Sequence, residues 1–568
     1  METNRFALNE NISEHDLADT YYPAWQGVIQ DGGAVGFMCS YPSVNGVPMC
    51  GNALFETTLM KETWGLGLRG GSYVQSDCGA IENIASRFHY AANATYAAAV
   101  ALNAGTDIDC GSAFPEQLPL AIEMGLTTEA TLDASLTRTF TLQFLAGRFD
   151  PIATQPYMAI PFEAIGSPEI LALAFESAVQ GQVLLRNDAG VLPLTASQSF
   201  AVVGPFANLS SIAGNYFEDI CPGAPGNLDC VPTLCAAVAH DAGSATCVPG
   251  IGVTSMNPSG IADAVAACAA ADVCIVSLGF DGSVCGEGTD RTTVALPGLQ
   301  LNLTLAVLAL HKPTVFVLFN GGVVGIDDIV SAPGPLAIVE AFNPGVVGGD
   351  AVSAALFGRV NRWGKLPVSW PPQKYFDLLP IEQMDMVLGG NGAGRTYKYY
   401  NATNVAAQTG LANGENLFEI GFGLSLTTFT LAGDCPAHPP WSIQVNVAAA
   451  PLQCTVTVTN TGARDGDEVV TVFVVPSEAA VARGRAARAA NTPRADPLAS
   501  RLLVAFARVA VPAGQQVAVP FNITLPSFAQ VADDGARVMY PGEYDVVFST
   551  GNGGDVRSRV AIEVGGPL

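Results

Sequence analysis

Two neighbouring stretches decide the fold of the first part of the chain: MCSYPSVNGVPMCGNALFETTLMKETWG at residues 38–65 and GGSYVQSDCGAIENI at residues 70–84. Apolar residues at 34–39 and the run at 72–76 predict buried strands. Asp77 follows the second strand directly. Catalytic groups of parallel β/α folds lie where a strand ends and its loop begins, so Asp77 is a candidate catalytic carboxyl. The alternative is an aspartate that caps a helix or closes a turn.

Outward from these stretches, residues 1–150 alternate helices with short strands, and a third strand is predicted at 106–109. Such alternation is typical of parallel β/α units. The segment at 151–168 is predicted to be a linker. Residues 169–370 predict a second α/β domain that starts with a helix at 168–186. Its apolar strands are predicted at residues 200–203, 273–278, 314–319 and 336–340.

The last part of the chain differs in pattern, so the expected fold class is multidomain α/β plus β. Residues 371–435 are rich in glycine and aromatic residues and predict a connecting segment. Residues 436–568 predict a β-sandwich of fibronectin type III or immunoglobulin-like topology. Its strands are predicted at residues 443–447, 455–459, 469–475, 502–509, 516–522 and 544–549. The Ala/Arg-rich stretch at 479–495 is predicted to be a mobile loop, because its basic residues have no apolar face to hold them.

The composition excludes several kinds of partner. The 51 acidic and 25 basic residues give a formal net charge of -26, and such a surface repels nucleic-acid phosphates and anionic lipids. A neutral sugar is not repelled. Hydrophobic residues make up 49% of the chain, yet no apolar run has the length and flanks of a membrane span. We therefore expect neither a membrane nor a nucleic-acid partner.

The thirteen cysteines lack the paired spacing of zinc ligands, so disulfides are expected and a metal site is not. Asn-x-Ser/Thr sequons agree with a secreted glycoprotein. They begin at Asn11, Asn93, Asn208, Asn302, Asn401 and Asn522. The opening METNRFALNENIS lacks the apolar segment of a signal peptide. Either the protein stays inside the cell, or its natural N-terminus lies upstream.

The stretches around Asp77 resemble the nucleophile region of glycoside hydrolase family 3, where a strand ending in SDC-G-A follows a CSYN-VNG-P loop. Further stretches resemble other blocks of this family in the same order: AGTDIDCGS, VLLRNDAGVLPL, AVVGPFAN, LFNGGVVGID, EAFNPGVVGGDAVSAALFG, WGKLPVSW, GRTYKYY and FEIGFGLSLTTF. The resemblance implies a (β/α)8 TIM barrel, an α/β sandwich and a fibronectin type III-like domain. It also implies a retaining exo-glycosidase with Asp77 as nucleophile, an oligosaccharide as substrate and no cofactor.

Retention by this chemistry needs a second, protonated carboxyl about 5 to 5.5 Å from the nucleophile. The resemblance places it in the second domain, at an interface between domains. There VSLGFDGSVCGEGTDR at residues 276–291 is similar to the family's EAEG-DR motif. Cys285 replaces its first glutamate and leaves Glu287 as the candidate acid/base, with Asp281 and Asp290 as rivals. We expect Glu287 to be buried beside Asp77; the alternative is a solvated loop glutamate.

The resemblance suggests roles for three features near Asp77. Tyr41 is a candidate to hydrogen-bond Asp77 or the sugar, and a packed core tyrosine is the alternative. Cys39 and Cys50 have the spacing of a family disulfide. Cys78 stands where related glucosidases often have tryptophan and xylosidase-like members have cysteine. This favours a pentoside, with terminal β-xylosyl, α-L-arabinofuranosyl and β-glucosyl residues of plant cell-wall polysaccharides as the candidate substrates.

Two features depart from the family. A complete barrel needs eight strands and about 250 residues, whereas about three strands are predicted before the linker. We therefore expect the chain to be truncated at its N-terminus and to lack the acidic residue and the Lys-His pair with which family members bind the sugar. Pro42 stands where the family's loop has asparagine. The alternative function is thus a catalytically impaired homologue that acts as a carbohydrate-binding or interaction module.

Overall fold

The computed structural model describes residues 2–67, 71–161, 164–210, 212, 214, 221, 227–387, 392–436, 451–489, 498–562 and 566–567. The chain divides into two compact units. The first comprises Met1–Ala164, Glu382–Asp385 and Val531–Ala536, and the second comprises Ile165–Ile381, Met386–Gln530 and Arg537–Leu568. The strand predicted at 443–447 lies outside the described residues.

The first unit alternates short strands with helices. Its strands are β1 (Asn9–Glu10), β2 (Gly36–Cys39), β3 (Ser43–Val44), β4 (Val47–Pro48) and β5 (Tyr73–Ser76). Its α-helices are α1 (Glu14–Asp16), α2 (Tyr22–Gln30), α3 (Ala80–Ser86), α4 (Ala94–Ala104), α5 (Ala113–Glu123) and α6 (Glu129–Leu145), and π-helices occupy Leu17–Tyr21 and Leu54–Thr63. β2 pairs with β5 in parallel, whereas the strand predicted at 106–109 is reduced to a parallel bridge between Ile108 and Gln75.

The core of the first unit lies between these strands and the helices that follow them. Phe37 and Val74 on the strands pack with the fully buried Ile81 and Ile84 of α3. α4 consists largely of alanine, the residue with the highest helix propensity, and its small side chains allow close packing. The side chain of Asn93 caps α4 by accepting the N–H of Tyr96, which fixes where the helix begins.

The second unit contains a six-stranded sheet with the order β6-β11-β10-β9-β7-β8. Its strands are β6 (Val183–Asn187), β7 (Phe200–Val203), β8 (Thr246–Val248), β9 (Val273–Gly279), β10 (Thr314–Phe319) and β11 (Leu336–Glu340). Its helices are α7 (Pro168–Gly181), α8 (Leu234–Ala242), α9 (Ile261–Ala270), α10 (Gln300–Leu308), α11 (Asp327–Ser331) and α12 (Gly348–Leu356). Only β6 runs antiparallel to its neighbour, and the central strands are buried along their whole length because both faces are covered.

The remainder of the second unit is mainly antiparallel. Two short helices, α13 (Thr396–Tyr399) and α14 (Ala402–Thr409), come first. The strands are β12 (Phe429–Asp434), β13 (Leu452–Asn460), β14 (Gly466–Pro476), β15 (Leu502–Val511), β16 (Gln516–Ile523), β17 (Gln530–Val531, of which Gln530 belongs to this unit), β18 (Arg537–Met539), β19 (Gly542–Ser549), β20 (Val556–Ile562) and β21 (Gly566–Pro567). The sheets β12-β13-β16 and β15-β14-β19-β20 share one apolar core, to which Val456, Val472 and Phe548 belong.

Two further expectations about secondary structure were wrong. The helix predicted at 168–186 ends at Gly181, and the antiparallel strand β6 follows it after one residue. The loop predicted at 479–495 contains the helix α15 (Glu478–Ala489). This helix forms because alanine and arginine both favour helical backbone, and Ala480, only 1% exposed, packs into the core shared by the antiparallel sheets.

The second unit has two layers, the six-stranded sheet with its helices and the antiparallel C-terminal region. A buried ion pair connects them. The Nζ of Lys365 donates to the carbonyl oxygens of Gly423 at 2.6 Å and Thr550 at 2.7 Å. It also lies 2.8 Å from the carboxylate of Glu468 on β14. Burial lowers the pKa of Lys365, while the charge of Glu468 opposes that shift. A buried pair of this kind stabilises its surroundings only while both partners are present.

Candidate active site

The carboxyl ends of β2 and β5 place Asp77 at the edge of the first unit's parallel sheet. Cys39 lies opposite Ser76 in the register, so the two strands end together. The backbone N–H of Asp77 donates to the carbonyl oxygen of Cys39 at 2.9 Å. The N–H of Ser76 donates to Ile108 at 2.8 Å. Three chain segments therefore fix the backbone on which Asp77 stands.

The side chain of Asp77 is half-buried and retains one carboxylate oxygen for chemistry. Its Oδ1 accepts the backbone N–H of Cys78 at 2.7 Å. Among the described residues, no donor forms a hydrogen bond with its Oδ2. A carboxylate held on one side by a backbone amide, with its second oxygen available, has the arrangement that an attacking nucleophile needs.

The loop between β2 and the π-helix at Leu54–Thr63 is tied to the same strand end. Disulfides join Cys39 to Cys50 and Cys78 to Cys110. The hydroxyl of Tyr41 donates to the carbonyl oxygen of Cys78 at 3.0 Å. The structure thus brings together four residues selected from the sequence with Asp77, and it places the Tyr41 hydroxyl on the backbone of the residue after Asp77.

Behind the strand end lies an ionic cluster that sequence reasoning missed. Asp107, whose side chain is fully buried, pairs with Lys61 at 2.9 Å and with Arg138 at 2.6 Å. Its Oδ2 also accepts the backbone N–H of Val74 in β5 at 2.9 Å. A buried carboxylate with two cations is fully compensated, so this cluster stabilises the strand that carries Asp77. The motif AGTDIDCGS contains Asp107, but no spacing indicates that Lys61 and Arg138 meet it.

A pair of carboxyl groups, Asp109 and Glu82, lies beside the disulfide Cys78–Cys110. Asp109 accepts the N–H of Phe114 at 2.9 Å, and Glu82 accepts the N–H of Ser112 at 3.1 Å. Gly111 leaves room for both carboxyls, because a Cβ there would lie 2.9 Å from Asp109 and 2.7 Å from Glu82. Burial raises the pKa of Asp109, and the neighbouring charge of Glu82 raises it further. These backbone bonds position the turn into α5.

Glu56, in the π-helix, is a buried carboxyl that favours the protonated state. The residue is 1% exposed, and its Oε2 lies 2.9 Å from the hydroxyl of Thr106. Burial raises the pKa of Glu56 to about 8, although the hydrogen bond from Thr106 and the charge of Lys61 oppose the shift. The folded protein therefore binds this proton more tightly than the unfolded chain does.

We expect the free energy of unfolding to fall as the pH rises from 4.5 to about 8. The contribution of Glu56 is fully present below its unfolded pKa near 4.5 and is lost as the pH rises through about 8. The loss should be on the order of a few kcal/mol. Urea unfolding at several pH values gives the free energy of unfolding as a function of pH. The slope of this free energy against pH should be smaller for Glu56→Gln than for the wild-type protein. The exposed Glu116→Gln should keep the wild-type slope, and equal slopes in all three proteins would contradict this assignment.

Glu287 belongs to the second unit, in the loop that follows β9. Its side chain is exposed, whereas the sequence led us to expect a buried carboxyl. Backbone bonds between Gly286 and Thr289 close a tight turn around it. Asp281 starts the same loop, and its Oδ1 accepts both the N–H and the hydroxyl of Ser283, at 3.0 and 2.6 Å. Asp281 therefore stabilises the start of the loop through hydrogen bonds, while Glu287 lies in the turn.

Within the described ranges, no group of three His, Cys, Asp or Glu side chains could hold a metal ion. The same ranges contain no helix with the length and apolar character that a membrane crossing requires.

Comparison with known proteins adds the family. Residues 7–142 match the glycosyl hydrolase family 3 N-terminal domain, and residues 182–426 match the family 3 C-terminal domain. A probable exo-1,4-β-xylosidase of Aspergillus terreus is 35% identical over 547 residues, covering 95% of this chain and 66% of that protein. The exo-1,4-β-xylosidase of Emericella nidulans is 32% identical, covering 96% and 68%. The chain thus spans about two thirds of the length of these curated relatives.

Solved structures agree with the sequence matches. A family 3 exo-β-xylosidase in complex with a xylobiose aziridine probe superposes with a TM-score of 0.86 at 28% identity, covering 99% of this chain and 70% of that one. The family 3 β-glucosidase of Bifidobacterium adolescentis gives 0.78 at 26% identity, covering 99% and 75%. The mixed α/β, multidomain architecture and the family inferred from the sequence motifs are confirmed. This chain belongs to glycoside hydrolase family 3.

Proposed function

We propose that the protein is a retaining exo-glycosidase that releases terminal β-xylosyl residues from oligosaccharides of plant cell-wall type. The observation that carries the proposal is the half-buried carboxylate of Asp77 at a strand end, with one oxygen held by Cys78 and the other available. The names of the relatives support xylose as the sugar, since the Aspergillus terreus and Emericella nidulans proteins are both named exo-1,4-β-xylosidases.

In the proposed mechanism two carboxyl groups act in two displacements. The carboxylate of Asp77 attacks the anomeric carbon while Glu287 protonates the departing glycosidic oxygen, which breaks that bond and leaves a glycosyl ester on Asp77. Glu287, now ionised, removes a proton from water, and the resulting hydroxide attacks the anomeric carbon. This step releases the sugar and regenerates both carboxyl groups. Two inversions at one carbon give net retention.

The residues around Asp77 support this role through the backbone. Tyr41 donates to the carbonyl oxygen of Cys78. One disulfide joins Cys78 and Cys110, the residues after Asp77 and Asp109, and the other closes the loop between Cys39 and Cys50. We propose that Tyr41 and Cys78 border the sugar subsite. The disulfide occupies the position directly after the nucleophile, so it limits the space beside the bound sugar.

Substrate profiling tests the proposal. We expect 4-nitrophenyl β-D-xyloside to be hydrolysed with a kcat/KM about tenfold or more above that for the β-D-glucoside, because the extra hydroxymethyl group must be accommodated. The 4-nitrophenyl α-L-arabinofuranoside is measured as the third candidate substrate. Release of nitrophenol from none of these glycosides would contradict the enzyme assignment and favour a carbohydrate-binding role.

The finer architecture and the location are part of the same proposal. We propose that the parallel units of residues 1–150 are of the TIM-barrel type, that 151–168 is a linker, that 169–370 and 371–435 form an α/β sandwich domain and its connection, and that 436–568 is a fibronectin type III-like domain. We further propose an extracellular glycoprotein. Six disulfides and the exposure of all six sequon asparagines support that location.

A further inference from the structure

We infer that Glu340 is a positioning residue for the loop that carries Glu287, acting through Asn320 and Arg291. The inference rests on the proposed function, because it assigns a purpose to the surroundings of the proposed acid/base. Glu340 is the last residue of β11, and Asn320 directly follows β10, its parallel neighbour in the sheet. The two side chains therefore meet at the carboxyl edge of the sheet.

Glu340 is a fully buried carboxyl, and within the described part of the chain its hydrogen-bond partners are all donors. The Nδ2 of Asn320 donates to both of its oxygens, at 3.2 and 3.0 Å, and the N–H of Phe342 donates to Oε1 at 2.7 Å. Burial raises the pKa of Glu340 to about 8, although these bonds oppose the shift. An apolar side chain would fill this place without the cost of burying an ionisable group, so the carboxyl has a specific task at the sheet edge.

Glu340 sets the orientation of Asn320, and Asn320 sets the turn after β10. Because the Nδ2 of Asn320 is held by Glu340, its Oδ1 faces the turn and accepts the N–H of Gly322 at 3.1 Å. The next residue, Val323, offers its carbonyl oxygen to the Nη1 of Arg291 at 2.9 Å. Three hydrogen-bonded contacts, with the peptide bond between Gly322 and Val323, thus lead from the buried carboxyl to Arg291.

Arg291 ends the acid/base loop and contacts it again further back. Its guanidinium lies over the ring of Phe280 at 4.1 Å and close to the side chain of Cys285. Phe280 and Cys285 precede Glu287 in the loop, and Arg291 follows it. The guanidinium therefore holds both arms of the turn that contains Glu287, so a shift of Arg291 moves the carboxyl.

The base of the loop has little freedom to absorb such a shift. The N–H of Phe280 donates to the carbonyl oxygen of Phe319 at 2.9 Å. Gly279 has a φ of +129°, and a Cβ there would lie 1.8 Å from the same oxygen. The ends of β9 and β10 are therefore in close backbone contact. The strand ends therefore cannot absorb a displacement of the turn at Asn320, and the displacement reaches Glu287.

Kinetics on substrates with different leaving groups test the inference. Glu340→Ala and Asn320→Ala should lower kcat for 4-nitrophenyl β-D-xyloside about tenfold or more, because small misplacements of a catalytic group have effects of this size. The 2,4-dinitrophenyl xyloside, which needs little proton donation, should lose about threefold or less. KM should change little. An equal loss on both substrates would show a general structural effect and overturn the inference.

A reciprocal exchange provides a rescue. Glu340→Gln keeps one acceptor oxygen but places an NH2 group where the second oxygen meets the Nδ2 of Asn320, so it should reproduce part of the kinetic defect. Combining it with Asn320→Asp restores one donor and one acceptor across the pair and should recover at least half of the loss in kcat. A double variant no better than the single one would contradict the proposed route through Asn320.

Labelling of Cys285 reports on the loop without any need for turnover. Cys285 is the free cysteine, since the structure pairs the other twelve. We expect Glu340→Ala to speed its reaction with dithionitrobenzoate about tenfold, because a loosened loop exposes the partly buried thiol more often. Asp263→Asn changes an exposed carboxylate of α9, elsewhere in the second unit, and should keep the wild-type rate. Unchanged labelling in Glu340→Ala would overturn the inference, whereas an inactive wild-type protein would overturn only the proposed function.

Discussion

Asp77→Asn is expected to lower kcat on every glycoside by on the order of 10⁴-fold or more, because the amide is a poor nucleophile and no ester can form. The change is nearly isosteric. Its Oδ1 can still accept the N–H of Cys78, so the urea unfolding midpoint should stay close to that of the wild-type protein. The measurement is kcat on the nitrophenyl and dinitrophenyl xylosides, together with the unfolding midpoint.

Covalent trapping makes this test independent of rate. A 2-deoxy-2-fluoro xyloside with a good leaving group should release that group once and leave the fluoro-sugar esterified to Asp77, which peptide mass spectrometry can locate. Asp133→Asn, at an exposed position of α6, is the matched control and should behave as the wild-type protein in both assays. A label on another carboxyl, or an Asp77→Asn variant that keeps a tenth of the wild-type kcat, would reassign the nucleophile.

Glu287→Ala should show the selective defect of a missing general acid. We expect a loss of roughly 10²-fold to 10³-fold in kcat with xylobiose, whose leaving group needs a proton, and a loss of about tenfold or less with the dinitrophenyl xyloside. Added azide should restore turnover of the activated substrate and give β-xylosyl azide, because azide attacks the glycosyl ester without a general base. Product analysis by NMR identifies the anomer.

The same series on the rival carboxyls separates them from Glu287. Asp281→Ala and Asp290→Ala should lower activity on all substrates to a similar degree and should not respond to azide. The side chain of Asp281 already accepts two bonds from Ser283, which makes it part of the loop's own structure. Azide rescue in either of these variants, with none in Glu287→Ala, would transfer the acid/base role.

Strands buried on both faces were well predicted from the sequence. β7, β10 and β11 have the bounds that their apolar runs indicate, because a continuous β-branched and aromatic run between turn residues has few other uses in an α/β domain. β6 was missed because its short apolar run directly follows a helix with similar composition. The helix α15 was missed because the burial of Ala480 in a distant core cannot be recognised from local charge.

The local part of the candidate site was also accessible from the sequence, whereas its supporting contacts were not. Asp77, Tyr41 and Cys78 lie within one quoted stretch, and motif spacing alone selects them. The contacts of Asp107 with Lys61 and Arg138 join residues 46 and 31 positions apart. The pairing of Cys78 with Cys110 is one of many combinations that thirteen cysteines allow. Such contacts depend on the tertiary fold and carry no local signal.

The ammonium group of Lys365 has a consequence for how the second unit can be divided. Its three acceptors come from segments that are far apart in the chain, and two of them, Glu468 and Thr550, belong to the antiparallel C-terminal region. Removing that region would take away two of the three acceptors of Lys365 and expose the surface that the region covers. The C-terminal region is therefore needed for the second unit to fold. A protein truncated at residue 436 should be insoluble when expressed, and a chimaera should keep both layers from the same protein.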